Sequence, residues 1–180
     1  MNGSDPRTGP ERFRDREVVF PNGVTGQTID IPSASPLNYY QAISAAAEMP
    51  AITVDGKLFM PAGYNAASQP VPLVIVVPGS LGIAPSHLQH AETLNAAGYA
   101  TFVLDSFGAR GVSSTVAKQT QFSFAASAFD VLAAWKVLQA LPGIDAAKIG
   151  AQGHSRGGSA VLTAATRRFA DAVIGPGQGL

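Results

Sequence analysis

The 180-residue sequence contains no cysteine, which removes disulfides, thiolate zinc sites and a cysteine nucleophile from consideration. Neither sign of charge is in excess, since 12 basic and 12 acidic residues cancel to a formal net charge of +0. That balance gives no support for a nucleic-acid backbone or an anionic membrane surface as partner. No apolar run approaches the roughly 18 to 20 residues needed to cross a bilayer. The polar start, MNGSDPRTGPERFRDRE, lacks the apolar segment of a signal peptide, which leaves two readings of compartment: cytoplasmic, or secreted with the leader removed. There are only three histidines, His87, His90 and His154, and none stands in a ligand spacing such as H-E-x-x-H. Neither a metal nor a cofactor is expected.

What is present is apolar. With 46% hydrophobic and 13% charged residues, the chain reads as one globular domain with a sizeable core. Residues 1–16, rich in Gly, Pro and charge, are expected to form a flexible N-terminal arm, and residues 17–180 the domain. Short strands are expected at 17–20, 27–31 and 52–60, with a helix opened by Ser35-Pro36 and running to about Glu48. VPLVIVV at 71–77 is a continuous β-branched run of the kind buried on both faces of a parallel sheet. A helix capped by Ser86 should follow and stop at Gly98, then a strand at Thr101–Asp105. Phe124 to Leu141 carries apolar residues at helical spacing, with Trp135 in the core. Lys148–Gly153 reads as a strand, Arg156–Phe169 as a helix and Ala172–Ile174 as the start of another strand. This alternation predicts an α/β fold, a mostly parallel sheet with helices on both faces.

The chemistry concentrates in GAQGHSRGGSA, residues 150–160. Gly153-His154-Ser155-Arg156-Gly157 matches G-x-S-x-G between a strand and a helix, the setting that pattern requires. A serine on so sharp a turn is driven to a backbone conformation that L-residues disfavour. Side chains two positions before and after it would collide, so glycine is needed at both, and Gly158 is expected to let the helix approach the neighbouring strand. The turn lifts the hydroxyl above the sheet at a helix N-terminus, where amides and the helix dipole favour an oxyanion. Ser155 is therefore the candidate nucleophile. Neither a P-loop nor G-x-G-x-x-G occurs at this turn.

Three segments, VIVVPGSLG at 74–82, GYATFVLDSFGARGV at 98–112 and IGAQGHSRGG at 149–158, resemble the α/β-hydrolase fold, and most closely its dienelactone hydrolase-related branch. This chain has a serine where the dienelactone hydrolases proper use cysteine, and Pro78-Gly79 where His-Gly is frequent. By position, the resemblance implies an oxyanion hole formed by the backbone N–H groups of Ser80 (or Leu81) and Arg156. Arg110, in the loop after Asp105, has two readings: it binds a substrate carboxylate or carbonyl, or it pairs with Asp105 and fixes the loop. His154 is expected to face away from the serine, and His87 and His90 to be surface or cap residues.

A serine hydroxyl needs a general base, normally a histidine oriented by a carboxylate, and in this fold both follow the serine in sequence. After Ser155 there is no histidine, and Asp171 is the one side-chain carboxylate. The expectation is an N-terminal portion of a hydrolase, without the C-terminal strands and helices. A complementary segment or second chain would carry the Asp/Glu and the His. The function read at this stage is hydrolysis of a small-molecule ester, lactone or related acyl bond through an acyl-enzyme. The alternatives are a catalytically inactive binding module and a prolyl-oligopeptidase-like peptidase.

Overall fold

The β-branched run at Val71–Val77 forms an inner strand of the sheet in the computed structural model, which describes residues 11–180. Five strands, β1 (Gln27–Ala34), β2 (Ala51–Phe59), β3 (Val71–Val77), β4 (Ala100–Asp105) and β5 (Ile144–Gly153), are ordered β1-β2-β4-β3-β5. β3 runs parallel to both β4 and β5, while β1–β2 and β2–β4 are antiparallel. The sheet is thus mixed, with β4, β3 and β5 forming its parallel half. The early strands alternate polar and apolar residues because they form the antiparallel end.

Side-chain alternation along β3 and β4 divides the core between the two sheet faces. Ile75, Val77, Phe102 and Leu104 enter the larger cluster, together with Val131, Leu132 and Leu138 of α3 (Phe124–Leu138). Val76 and Val103 point the other way, toward Phe13, Phe20, Phe59 and Ala91 of α2 (Pro85–Ala96). Helices therefore cover both faces. Trp135 is buried in the larger cluster.

Several boundaries differ from expectation for identifiable reasons. The first helix, α1 (Tyr39–Ser44), starts later, capped by the Asn38 side chain, which accepts the Gln41 N–H at 2.9 Å. α2 begins at Pro85 rather than being capped by Ser86; the His87 imidazole Nδ1 accepts the Ala84 N–H at 2.9 Å. The segment expected as helix then strand is two helices, α4 (Arg156–Ala164) and α5 (Arg167–Ile174). Ala172–Ile174 is not a strand, because Phe169, Ala170, Val173 and Ile174 recur at helical spacing and pack into the larger core. β5 begins four residues early, since a register shift between the Val71–Ile144 and Leu73–Ile149 pairings absorbs its polar stretch.

Residues 1–10 of the expected arm lie outside the described residues. Of residues 11–16, Glu11, Asp15 and Arg16 are exposed and Phe13 is buried. Phe13 is buried against Phe20 and Phe59, worth about 1.5–3 kcal/mol for such a ring, and Arg12 Nη2 meets Asp55 Oδ2 at 2.6 Å. No helix in the described residues is long and apolar enough to cross a membrane.

Candidate active site

The parallel register sets the site. Val77 pairs with Gly153, so β3 and β5 end level, and the loops leaving them emerge side by side. Three residues beyond Val77 is Ser80, and two beyond Gly153 is Ser155. Ser155 has φ 53 and ψ −118 and is the only described non-glycine residue with positive φ. It is exposed and stands at the N-cap of α4. Such backbone strain costs on the order of 1–3 kcal/mol and persists only where the surroundings over-determine it.

Those surroundings are glycines. A β carbon on Gly153 would overlap the Gly157 carbonyl and the Gly158 nitrogen, and one on Gly157 would overlap the Val77 and Pro78 carbonyls. The close approach of helix to strand is thus made by Gly157. Gly158, expected to serve it, has no atom nearer than 3.4 Å to its β-carbon position. Gly79 lies against the serine: a β carbon there would stand 3.0 Å from the His154 carbonyl oxygen and 3.3 Å from Ser155 Cβ. The Pro78-Gly79 turn therefore brings the loop bearing Ser80 onto the elbow.

Among the described residues, neither the Ser80 nor the Arg156 backbone N–H donates to a protein acceptor, whereas the Ser80 carbonyl accepts Thr115 N–H at 2.7 Å. Two amides thus have unused donors, one on the loop after β3 and one at the start of α4. Unpaired N–H groups at a helix N-terminus are the donors an oxyanion requires.

The Arg156 side chain turns inward and is 4% exposed. Its Nε donates to Ser127 Oγ (3.2 Å), Nη1 to the Gln119 carbonyl (2.8 Å), and Nη2 to the carbonyls of Phe122 (2.7 Å) and Ser123 (3.1 Å). The guanidinium carbon lies 4.3 Å from the ring centroids of both Phe122 and Phe124. Burial pushes its pKa below the usual value, and the nearby Arg110 pushes the same way.

Arg110 fixes the loop through a partner other than the one expected. Its Nη1 meets Asp130 Oδ2 at 2.6 Å with both side chains buried, and not Asp105. Its remaining donors go to Ser35 Oγ (3.1 Å), the Ser106 carbonyl (2.7 Å), the Ala34 carbonyl (3.2 Å) and Asp130 Oδ1 (3.2 Å). All three nitrogens are engaged by the protein, which gives Arg110 the loop-fixing contacts with Asp130 in the place of Asp105. Asp105 instead accepts the N–H groups of Phe107 (2.9 Å) and Gly108 (3.1 Å), forming the turn after β4. A cavity of about 640 Å³ lined by Leu37, Tyr39, Arg110, Phe122 and Phe124 lies behind this loop, and Ser155 does not line it.

No histidine is hydrogen-bonded to the serine among the described residues. His154 is exposed, its ring 6.4 Å from that of His87. His87 is buried as the α2 cap, and burial followed by the proximity of His154 and His90 lowers its pKa. His90 Nδ1 lies 2.9 Å from Gln152 Nε2. Asp171 is engaged locally, by Arg167 Nη2 of α5 at 3.0 Å and by the Gly177 N–H beyond it at 3.2 Å. No group of three or more potential metal ligands occurs among the described residues.

A sheet of this topology with a strained serine between β5 and α4 defines the α/β-hydrolase class, within the serine hydrolase superfamily. Residues 85–177 match the model of the prolyl oligopeptidase family, and the chain belongs to that family. No curated protein matches the chain. Solved structures similar to it include dienelactone hydrolase from Anabaena variabilis, 21% identical, covering 78% of this chain and 57% of that one, with a TM-score of 0.51. Est1E from Butyrivibrio proteoclasticus, with ferulic acid bound, is 25% identical over 68% of this chain and 46% of that one, TM-score 0.53. Dipeptidyl peptidase 4 from Porphyromonas gingivalis is 19% identical over 81% of this chain and 19% of that one, TM-score 0.53. The chain spans about half the length of the two shorter structures.

Proposed function

We propose that this chain carries the nucleophile and oxyanion-binding half of a serine hydrolase that cleaves an ester, lactone or related acyl bond. The observation that carries this reading is the backbone of Ser155, held at φ 53 between glycines that no larger residue could replace without collision. In the proposed reaction Ser155 Oγ attacks the acyl carbon, its proton passes to a base, and the alcohol leaves to give an acyl-enzyme that water then hydrolyses. The amides of Ser80 and Arg156 would bind the developing oxyanion; losing one such donor typically costs about 100- to 1,000-fold in rate. The base and its carboxylate are proposed to come from a complementary segment. Its docking site is proposed along the outer side of β5, which among the described residues pairs only with β3, rather than beside the helical Ala172–Ile174.

The test is labelling of the chain together with its complementary segment by a fluorophosphonate probe, followed by peptide mapping. Modification at Ser155, absent in Ser155→Ala, supports the reading; modification elsewhere or nowhere defeats it in favour of an inactive binding module. The family match at residues 85–177 favours a second substrate class, peptides cleaved after proline. Assay of the complemented enzyme on a p-nitrophenyl acyl ester against a prolyl p-nitroanilide separates the two.

A further inference from the structure

Gln119 touches both loops that bear the unpaired amides. Its side-chain Oε1 accepts the Ser80 hydroxyl at 3.0 Å, the Thr115 hydroxyl at 3.4 Å and Arg156 Nη1 at 3.4 Å, while its carbonyl accepts Arg156 Nη1 at 2.8 Å. Thr115 in turn donates its N–H to the Ser80 carbonyl at 2.7 Å. One residue on the surface turn Gln119–Gln121 therefore ties the loop after β3 to the first residue of α4. Arg156 has no carboxylate within ion-pair distance among the described residues. Its buried cation is satisfied by carbonyl and hydroxyl oxygens alone, three of its carbonyl acceptors coming from Gln119, Phe122 and Ser123.

We propose that Gln119 is a positioning residue for acyl transfer, a clamp that fixes the separation of the Ser80 and Arg156 amides. This rests on the hydrolase reading above. Donors aimed at a tetrahedral oxygen act only when held in place before reaction, and these two donors sit on separate loops about 75 residues apart in sequence. Gly153 and Gly157 set the elbow through the backbones of Gly157, Gly158, Val77 and Pro78, not through Ser80. Gln119 touches Ser80, through an atom that also meets Arg156. All three donors converge on one acceptor, so the role requires an acceptor oxygen and makes no use of the amide NH₂. A glutamate would serve it, and would also face the uncompensated guanidinium.

The experiment, run with the complementary segment present, compares the full chain with Gln119→Met, which keeps the volume and removes the acceptor, and with Gln119→Glu. Hydrogen exchange of segments 79–84 and 154–158 is followed alongside saturable fluorophosphonate labelling of Ser155, normalised to folded protein. In labelling, Oγ bonds to phosphorus, fluoride leaves, the hydroxyl proton goes to solvent or a base, and the phosphoryl oxygen occupies the oxyanion position. In Gln119→Met, exchange should rise in both segments. The limiting labelling rate should fall about 10- to 100-fold with the half-saturating probe concentration unchanged, and Gln119→Glu should recover most of both. Unchanged exchange in Gln119→Met overturns the clamp. Raised exchange with unchanged labelling, or a Glu variant as impaired as Met, overturns the positioning role. Wild-type labelling no faster than in Ser155→Ala removes the hydrolase reading and the positioning role with it, while the exchange data still decide whether Gln119 holds the two loops.

Discussion

Arg110 and Asp130 meet at 2.6 Å in a pair whose side chains are 6% and 0% exposed, and Ser33 adds a hydroxyl donor to Asp130 at 2.6 Å. The pair joins the loop after β4 to α3 and, through Ser33 and Ser35, to the end of β1. Removing one partner leaves a buried charge unpaired, which costs about 3–5 kcal/mol. Arg110→Met should therefore lower the urea midpoint strongly, whereas replacing both partners by Met and Leu should recover much of the loss. A wild-type midpoint in Arg110→Met, with weakened substrate binding instead, would return Arg110 to the substrate role.

The two adjacent glycines after the serine should behave differently. Gly157→Ala drives a methyl into the Val77 and Pro78 carbonyls, while at Gly158 the nearest atom is 3.4 Å away. Overpacking of this kind costs about 1–3 kcal/mol, so Gly157→Ala should lower the melting temperature and abolish Ser155 labelling. Gly158→Ala should change neither by much. Equal tolerance of both would mean that the elbow is not built as described.

Asp55 predicts an unusual pH dependence. It is fully buried, and its pKa is raised to about 6, chiefly by burial and then by Asp105, against the opposing pull of Arg12 and Arg14. A carboxyl with a folded pKa above its unfolded value of 3.8 binds its proton more tightly in the folded state. Its contribution is present at low pH and is lost as pH rises between about 4 and 6, by roughly 3 kcal/mol. Asp55→Asn should flatten the stability profile across that window and raise stability at pH 7. Urea midpoints measured from pH 4 to 7 decide this, and parallel profiles for the two proteins would contradict it.

Triad members act as a unit, so a nucleophile without its base retains only residual catalysis. The chain purified alone should hydrolyse a short-chain aryl ester barely faster than Ser155→Ala, and addition of a complementary segment bearing the histidine should restore turnover. Robust Ser155-dependent hydrolysis by the isolated chain would make His87, His90 or His154 the base.

The elbow was legible in the amino-acid sequence because its determinants are local. A serine between glycines, after a buried strand and before a helix, leaves one steric solution within eight residues, and φ 53 at Ser155 realises it. The β3 and β4 strands were legible for a similar reason, since β-branched runs buried on both faces need no distant partner to be recognised. The partner of Arg110 was decided only by folding: Asp130 and Ser35 lie 20 and 75 residues from it, and Asp105, nearer in sequence, is already satisfied by the turn amides. Ala172–Ile174 became helix because its apolar residues found a core at helical spacing. Gln119 carried no signal at all. It is an exposed glutamine in a polar loop, and its significance arises from the meeting of three donors, Ser80, Thr115 and Arg156, on one oxygen. Local sterics are written in neighbouring residues, whereas hydrogen-bond partners across a sheet edge exist only after the strands have taken their register.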